Sequence, residues 1–449
     1  MIYTSNMKTK RRAFTIVELL IVIVVIAILA TVVVVSYRGA QARAIETTMQ
    51  SDLTTASQTL ENDLRINNSY PTTAAAANGG AGLKTSGANV ISYLTKPYGY
   101  CVSVTNPAST KTYNYRSNSK VIGEGSCEVM VSSFAGNGSY GFLDGPANNA
   151  QFYYPVGIAL DNSGTVYIAD QNNNRIRKIT SDGVVSTFCG SGTSGSADGA
   201  CATAQFNQPK DIDIGTDGTM YVADTYNHRV RKITAAGVVS TLAGGSEGYL
   251  NGIGTAARFD YPYGLTVDEN NFVYVADTYN HRIRKITSSG VVTTFAGSTL
   301  GNVNGLGAAA QFKFPQGLDT DSVGNLFVAD SDNHSIRKIT PAGAVSTLAG
   351  SGSSGYSDGS GATAQFYYPN SLSIDNGDNI VISDSSNNRI RLITKSGEVS
   401  TLAGNGGYSY IDGAGVNAQF SSPIGVEFDK NGAVFVVDTN NNRIRKITL

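Results

Sequence analysis

The string RIRKIT and its variants begin at Arg175, Arg229, Arg282, Ser335, Arg389 and Arg443, a spacing of 53 or 54 residues. Such a period marks one supersecondary unit copied in tandem, so each local signal belongs to the repeat before it belongs to any chemistry. A unit runs as VVSTLAG, a Gly-rich loop ending in AQF, a Pro, GIALD, a turn, VYIAD, an NNN or YNH turn, and RIRKIT. Its apolar strings alternate or are continuously β-branched and are bounded by Gly, Asn or Asp, which predicts four antiparallel strands per unit. Four-stranded units repeated radially are propeller blades. Six copies therefore predict a mainly β, six-bladed β-propeller over residues 129–449.

The ends of the array support closure. After the final RIRKITL no VVSTLAG string follows, and an orphan copy, VMVSSFAG at 129–136, precedes the first unit. A ring that places this strand against the last blade joins early and late chain in one sheet and leaves no open edge there.

Residues 8–35 read KTKRRAFTIVELLIVIVVIAILATVVVV: Lys8, Lys10, Arg11 and Arg12, then an apolar run broken only by Glu18. Positive charge before an apolar helix keeps that end in the cytoplasm. With Phe14 to Val17 the run is about 30 Å of helix at ~1.5 Å per residue, enough to cross a bilayer. A cleaved signal, a plain anchor and a processed assembly segment all begin this way. Glu18 separates them, because a carboxylate in a membrane helix costs roughly 2.5–3.5 kcal/mol unless something pairs with it. Beyond Tyr37 the helix is predicted to continue to about Asn67, made progressively polar by Gln41, Arg43, Glu46, Gln50 and Asp52. NNSYPTT and TAAAANGGAG then read as turn and loop, and YCVSVTNPASTKTYNYRSN as strands.

Two resemblances follow from these residues. RRAFTIVELLIV resembles the processing site of type IV prepilins and type II secretion pseudopilins. That resemblance implies cleavage between Ala13 and Phe14 by a prepilin peptidase, methylation of the Phe14 amine, and pairing of Glu18 with a neighbouring subunit's terminus. It departs from the usual pattern at Ala13, where Gly is the rule. It further implies a leader at 1–13, a helix at 14–67 that spans the membrane over 14–37, and a small α+β head at 68–128 closed by a Cys101–Cys127 disulfide. PxGIAxD, YVADTxNHR and RKIT resemble NHL repeats, with YVADTYNHRIRKIT at 274–287 a close match. Cys189 and Cys201 lie twelve apart in one loop, where a local staple is their simplest use. Exported, oxidising surroundings suit both pairs.

The repeat accounts for most residues that could suggest catalysis. His228, His281 and His334 share one slot, filled elsewhere by Asn174, Asn388 and Asn442, so they stand a blade apart instead of converging on a metal. Propeller enzymes related to this repeat, such as amidating lyases, gather a metal with histidines that this sequence does not supply. Asp170, Asp224, Asp277, Asp330, Asp384 and Asp438 precede the RIRKIT strings by five residues. That spacing predicts cross-hairpin ion pairs with Arg175, Arg229, Arg282, Arg389 and Arg443, broken at Ser335. Read as exposed pairs on solvated strands, each is worth a few tenths to about 1 kcal/mol. DNSG, GTDG and DNGD are ordinary turns without EF-hand spacing. There is no phosphate loop, nucleophile elbow or Cys-His pair, and no cofactor is expected.

Residues 1–128 carry 12 Lys/Arg against 7 Asp/Glu, and residues 129–449 carry 21 against 27, so the propeller is net −6 and nucleic acid is not an expected partner. Variation concentrates in the blade-to-blade loops, which gather on one face of the disc. Tyr140, Phe142, Tyr249, Tyr356, Tyr408 and Tyr410 are the candidate contact residues there, their ordinary alternative being to cover the blade ends. A disc of ~320 residues is about 50 Å across and would crowd a filament if every subunit bore one. The expectation is a minor pilin, single-pass in the cytoplasmic membrane before assembly, that joins other pilin subunits and presents the propeller at a tip or surface to a protein or glycan. Two other readings stay open: a pseudopilin or structural subunit whose propeller packs on partner pilins, and an extracellular lyase- or esterase-like enzyme.

Overall fold

One helix, α1, runs from Ile16 to Asn67. An 18-residue window of it has a mean hydropathy of 2.2 and none of that window is buried, which is the length and composition of a membrane span. The computed structural model describes residues 16–67, 70–71, 73–96, 99–109, 111–116, 122–124 and 127–448. Ala13 and Phe14 lie outside the described residues; Glu18 stands in the first turn of α1.

The chain divides into two compact units, Met1–Cys127 and Glu128–Leu449. In the first, Met49, Leu53, Ala56 and Leu60 form a buried stripe at helical spacing on the polar half of α1. It packs on Tyr100, Val102, Val104 and Tyr113 of an antiparallel sheet made of Val90–Lys96, Gly99–Thr105, Thr112–Arg116 and Ile122–Glu124 in that order. Asp52 ties the intervening loop to the helix, accepting from Ser86 N at 2.8 Å and Asn89 Nδ2 at 2.7 Å. Cys101 is bonded to Cys127.

The second unit is a ring of six sheets. Where four strands per blade are expected, each sheet has five, because two residues of the preceding loop, such as Gly145–Pro146, pair with the outer strand and cover its edge. In the sixth blade the outer strand is Met130–Ala135, antiparallel to Arg443–Thr448 with Ala135 opposite Ile444 and Met130 opposite Thr448. The ring is closed by chain that precedes the first blade.

The aspartate–arginine pairing differs from the expectation in partner and in burial. Asp170 faces Arg175 in the ladder but bonds Arg177, at 2.8 Å. The same diagonal pair recurs as Asp224–Arg231, Asp277–Arg284, Asp330–Arg337, Asp384–Arg391 and Asp438–Arg445, at 2.5 to 2.8 Å. Ser335 breaks nothing, since Arg337 is the arginine that pairs. Diagonal neighbours across a ladder lie within reach of a long side chain, and the guanidinium shut away from water takes the carboxylate. Arg175, nearer the loop, is satisfied instead by the carbonyls of Asn173 and Ser191. These six inner arginines head the roll of the largest fully buried side chains, so the strands are not the solvated, salt-bridged surface that alternation suggested. Each guanidinium also donates to two carbonyls of the incoming loop; Arg231 reaches Gln205 O at 2.8 Å and Ala197 O at 3.1 Å. The pair thus nails the base of every variable loop to its blade.

Candidate ligand-binding face

Within a blade the inner strand starts on the face where the second strand ends, so the turn between the second and third strands shares that face with the loop between blades. Two repeated positions shape it. Asn174, His228, His281, His334, Asn388 and Asn442 close the turn with φ of 50 to 56°, a left-handed conformation that Asn and His tolerate better than most residues. From there each side chain accepts a backbone N–H of the next blade. Asn174 Oδ1 takes Gln208 N at 2.9 Å, and the three imidazoles take Tyr261, Phe314 and Tyr368 N through Nδ1 at 3.3 to 3.4 Å. Each histidine stands in for an asparagine, its Nδ1 lone pair engaged. Burial lowers the pKa of His281 and His334, in keeping with an acceptor role.

The residues donating these amides are Tyr154, Gln208, Tyr261, Phe314, Tyr368 and Ser422, all at φ of 45 to 54° immediately before the inner-strand proline. Left-handed backbone at a bulky residue costs of order 1–3 kcal/mol and persists only where its surroundings over-determine it. Here the inter-blade bond does so, against the extended backbone that a following proline favours. Four of the six are aromatic, and three of these, Tyr261, Phe314 and Tyr368, join neighbouring residues into ring clusters. Tyr226–Tyr261, Tyr261–Tyr279 and Tyr279–Phe314 have centroids 5.0, 5.0 and 5.2 Å apart. His334, Tyr367 and Tyr368 form a second group, and Tyr140–Tyr153 a third. Tyr226, Tyr279, Tyr153, Tyr367 and Tyr368 are all exposed.

The loop aromatics singled out from sequence divide in two. Phe142, Tyr249, Tyr356 and Tyr410 lie over the guanidinium groups of Arg175, Arg282, Arg389 and Arg443 at 3.9 to 4.1 Å, which makes them covers of the blade ends as well as surface. Tyr140 and Tyr408 project, Tyr408 being 84% exposed. Cys189 and Cys201 are bonded and pinch the second loop.

The ring's axis holds a polar well that the sequence reading passed over. Inner strands converge so closely that a Cβ on Gly157 would lie 2.6 Å from the Asp211 Cα. One layer below, the slot filled by Ala159 in blade 1 holds Asp213, Thr266, Asp319, Ser373 and Glu427. Asp211, Asp213, Asp319 and Glu427 line a cavity of about 40 Å³, room for waters. The aspartates bridge blades, accepting from Leu265 N, Val267 N and Ile374 N at 2.8 to 2.9 Å. The signal was present as DIDI where blade 1 reads GIAL, and as GLDT and GVEF in blades 4 and 6. Among the described residues no group of three or more His, Cys, Asp and Glu is arranged to hold a metal ion.

Burial pushes Asp211 up to about 8 and Asp213 to about 6. Burial, with repulsion from Asp213, pushes Asp319 to about 7, and burial with repulsion from Asp319 and Asp213 raises Glu427 well above the usual range. Folded-state values above the unfolded ones mean that the native state keeps protons the unfolded chain has released. This stabilisation is complete below about pH 4 and is lost as pH rises through 6 to 8. Asp277 and Asp330, pushed up to about 6 by burial, act with the same sign below that pH. The propeller is therefore expected to melt at a higher temperature at pH 6.5 than at pH 8, and Asp319→Asn with Glu427→Gln to shrink that difference. Equal melting temperatures for the parent chain at the two pH values would refute the coupling.

Comparison with known proteins adds the following. Residues 206–233, 259–286, 312–339, 366–391 and 420–447 match the NHL repeat, residues 102–202 the Teneurin NHL domain, and residues 8–34 the prokaryotic N-terminal methylation motif. The chain is 32% identical over 321 residues to Protein SUPPRESSOR OF QUENCHING 1, chloroplastic, of Arabidopsis thaliana, covering 66% of this chain and 30% of that protein. It is 30% identical over 342 residues to NHL repeat-containing protein 2 of Bos taurus, covering 66% and 46%. It thus spans less than half the length of these curated relatives. Among solved structures, an auxiliary nutrient binding protein of Bacteroides thetaiotaomicron superposes with a TM-score of 0.56 at 19% identity, over 78% of this chain and 83% of that one. A protein of unknown function from the same organism gives 0.58 at 22%, over 79% and 82%. At such identities the likeness is one of fold.

Proposed function

We propose that this chain, an NHL-repeat β-propeller behind a prokaryotic N-terminal methylation motif, is a pilin-like subunit that presents the loop-bearing face of the propeller outside the cell to bind a ligand. The observation that carries the reading is the joining, in one chain, of the motif at residues 8–34 to a disc whose loop-bearing face displays exposed aromatic rings. An apolar helix that begins beside a processing motif holds the chain in the membrane until assembly. The propeller follows it in the chain and would stand on the far side of that membrane. Minor subunits at a filament tip or surface are the proposed carriers, and adhesion to a protein or glycan the proposed role.

Mass spectrometry of the mature chain should find an N-terminal methyl-Phe14. An N-terminus at Met1 would leave a membrane-anchored propeller and remove the pilin part of the reading. Binding is tested by probing glycan and protein arrays with the full chain in detergent. Capture of a defined ligand, lost when the loop-face aromatics are changed, is the expected result. Absence of any ligand together with incorporation along the whole length of purified filaments would instead favour a structural subunit.

A further inference from the structure

The junction of blades 2 and 3 differs from the other five in its electrostatics. Tyr261 is held at φ 49° and is met by Tyr226 at 83° between ring planes, by Tyr279 at 44° and by His228 at 79°, with centroids 4.9 to 5.0 Å away. Beside these rings stand two carboxylates, Asp260 and Glu247, close enough that burial and then the charge of Glu247 raise the pKa of Asp260. Among the described residues neither carboxylate has a hydrogen-bond donor. The basic group nearest Asp260 is His228, whose Nδ1 is 4.0 Å from Oδ1. That same Nδ1 accepts the amide of Tyr261 at 3.4 Å. Three electron-rich rings and two carboxylates without a hydrogen-bond donor therefore share one edge of the face. Tyr226 is 43% and Tyr279 55% exposed, so the rings are open to a partner's surface.

Ring faces carry negative potential and attract ammonium and guanidinium groups, and adjacent carboxylates add to the same field. Resting on the ligand-binding reading above, we infer that this cluster receives a lysine or arginine side chain from a basic segment of a protein partner. The propeller's net negative charge would draw such a segment in and make the association depend on salt. Open rings suit a side chain reaching in from another protein better than a free quaternary ammonium ion, which gains most when enclosed.

The test titrates a fluorescent lysine-rich peptide onto the full chain in detergent and follows anisotropy. A glutamate-rich peptide, choline and neutral oligosaccharides run in parallel. Binding of the basic peptide is expected, weakened about tenfold or more by Tyr279→Ala and by Glu247→Gln with Asp260→Asn, and weakened again by raising salt. Tyr279→Phe keeps the ring and should bind nearly as the parent does, which separates ring loss from misfolding. Tyr408→Ala, on another blade, should leave binding unchanged. Unaltered affinity in the Tyr279→Ala and double-amide variants would overturn the inference, as would equal binding of choline or of the acidic peptide. A ligand captured on arrays through other loop residues would overturn it too while leaving the ligand-binding reading standing. Absence of any ligand would sink both.

Discussion

Asp277→Ala should destabilise the propeller by about 3–5 kcal/mol, the scale on which removing one partner strands a buried charge. Asp277 collects Asp260 N at 2.7 Å, Asn280 Nδ2 at 2.9 Å and Arg284 Nη1, so alanine orphans two donors and a guanidinium together. Blades also differ among themselves. In blade 3 the fourth member of the site is the neutral Asn251, at 2.8 Å from Arg284, whereas in blade 2 Asp198 bonds Arg231 at 2.6 Å. A second carboxylate partly compensates the guanidinium, so Asp224→Ala should cost less than Asp277→Ala. Asp277→Asn keeps acceptor and shape and should fall between parent and alanine. Denaturant unfolding of the three variants decides the matter. Costs below 1 kcal/mol would restore the exposed-pair account, and a larger loss for Asp224→Ala would refute the role given to Asp198.

Deleting Met130–Ala135 is the second large perturbation. The sixth blade would lose the strand paired with Arg443–Thr448, and with it the buried Val131 and Ala135 side chains, both 2% exposed. Apolar burial at ~25 cal/mol per Å² and ladder hydrogen bonds at roughly 1 kcal/mol each put the cost at about 3 kcal/mol or more. The bared edge is also a template for another chain. The deletion variant should melt lower and self-associate in light scattering, and a VVSTLAG copy appended after Leu449 should reverse both changes. A deletion variant that stayed monomeric with an unchanged melting temperature would show that the closing strand adds no stability.

The ring, its six blades and its closing strand were legible because each is a matter of period and of which apolar string lacks a partner. The two resemblances were legible for the same reason: they rest on contiguous residues. Less was legible where a side chain must choose among neighbours. Asp170 and Arg175 stand opposite each other in the ladder, yet the carboxylate goes to Arg177. The aromatic face was half visible. The loop tyrosines stand out by their variability, while Tyr154, Tyr261, Phe314 and Tyr368 sit between the Phe of the AQF or ARF string and proline. Nothing in a linear string says that a residue there adopts positive φ.

By itself, then, the sequence determined the repeat, the number of blades, the membrane-length helix with its processing motif, and the sparing use of histidine. These depend on local pattern and composition, which hydrophobic periodicity writes directly into the chain. The tertiary structure alone decided which arginine is buried, which carboxylates meet in the well on the axis, and which rings meet at a blade junction. Those outcomes depend on which neighbours the folded sheets and the closed ring bring together, where desolvation and charge act across distances that no local pattern records.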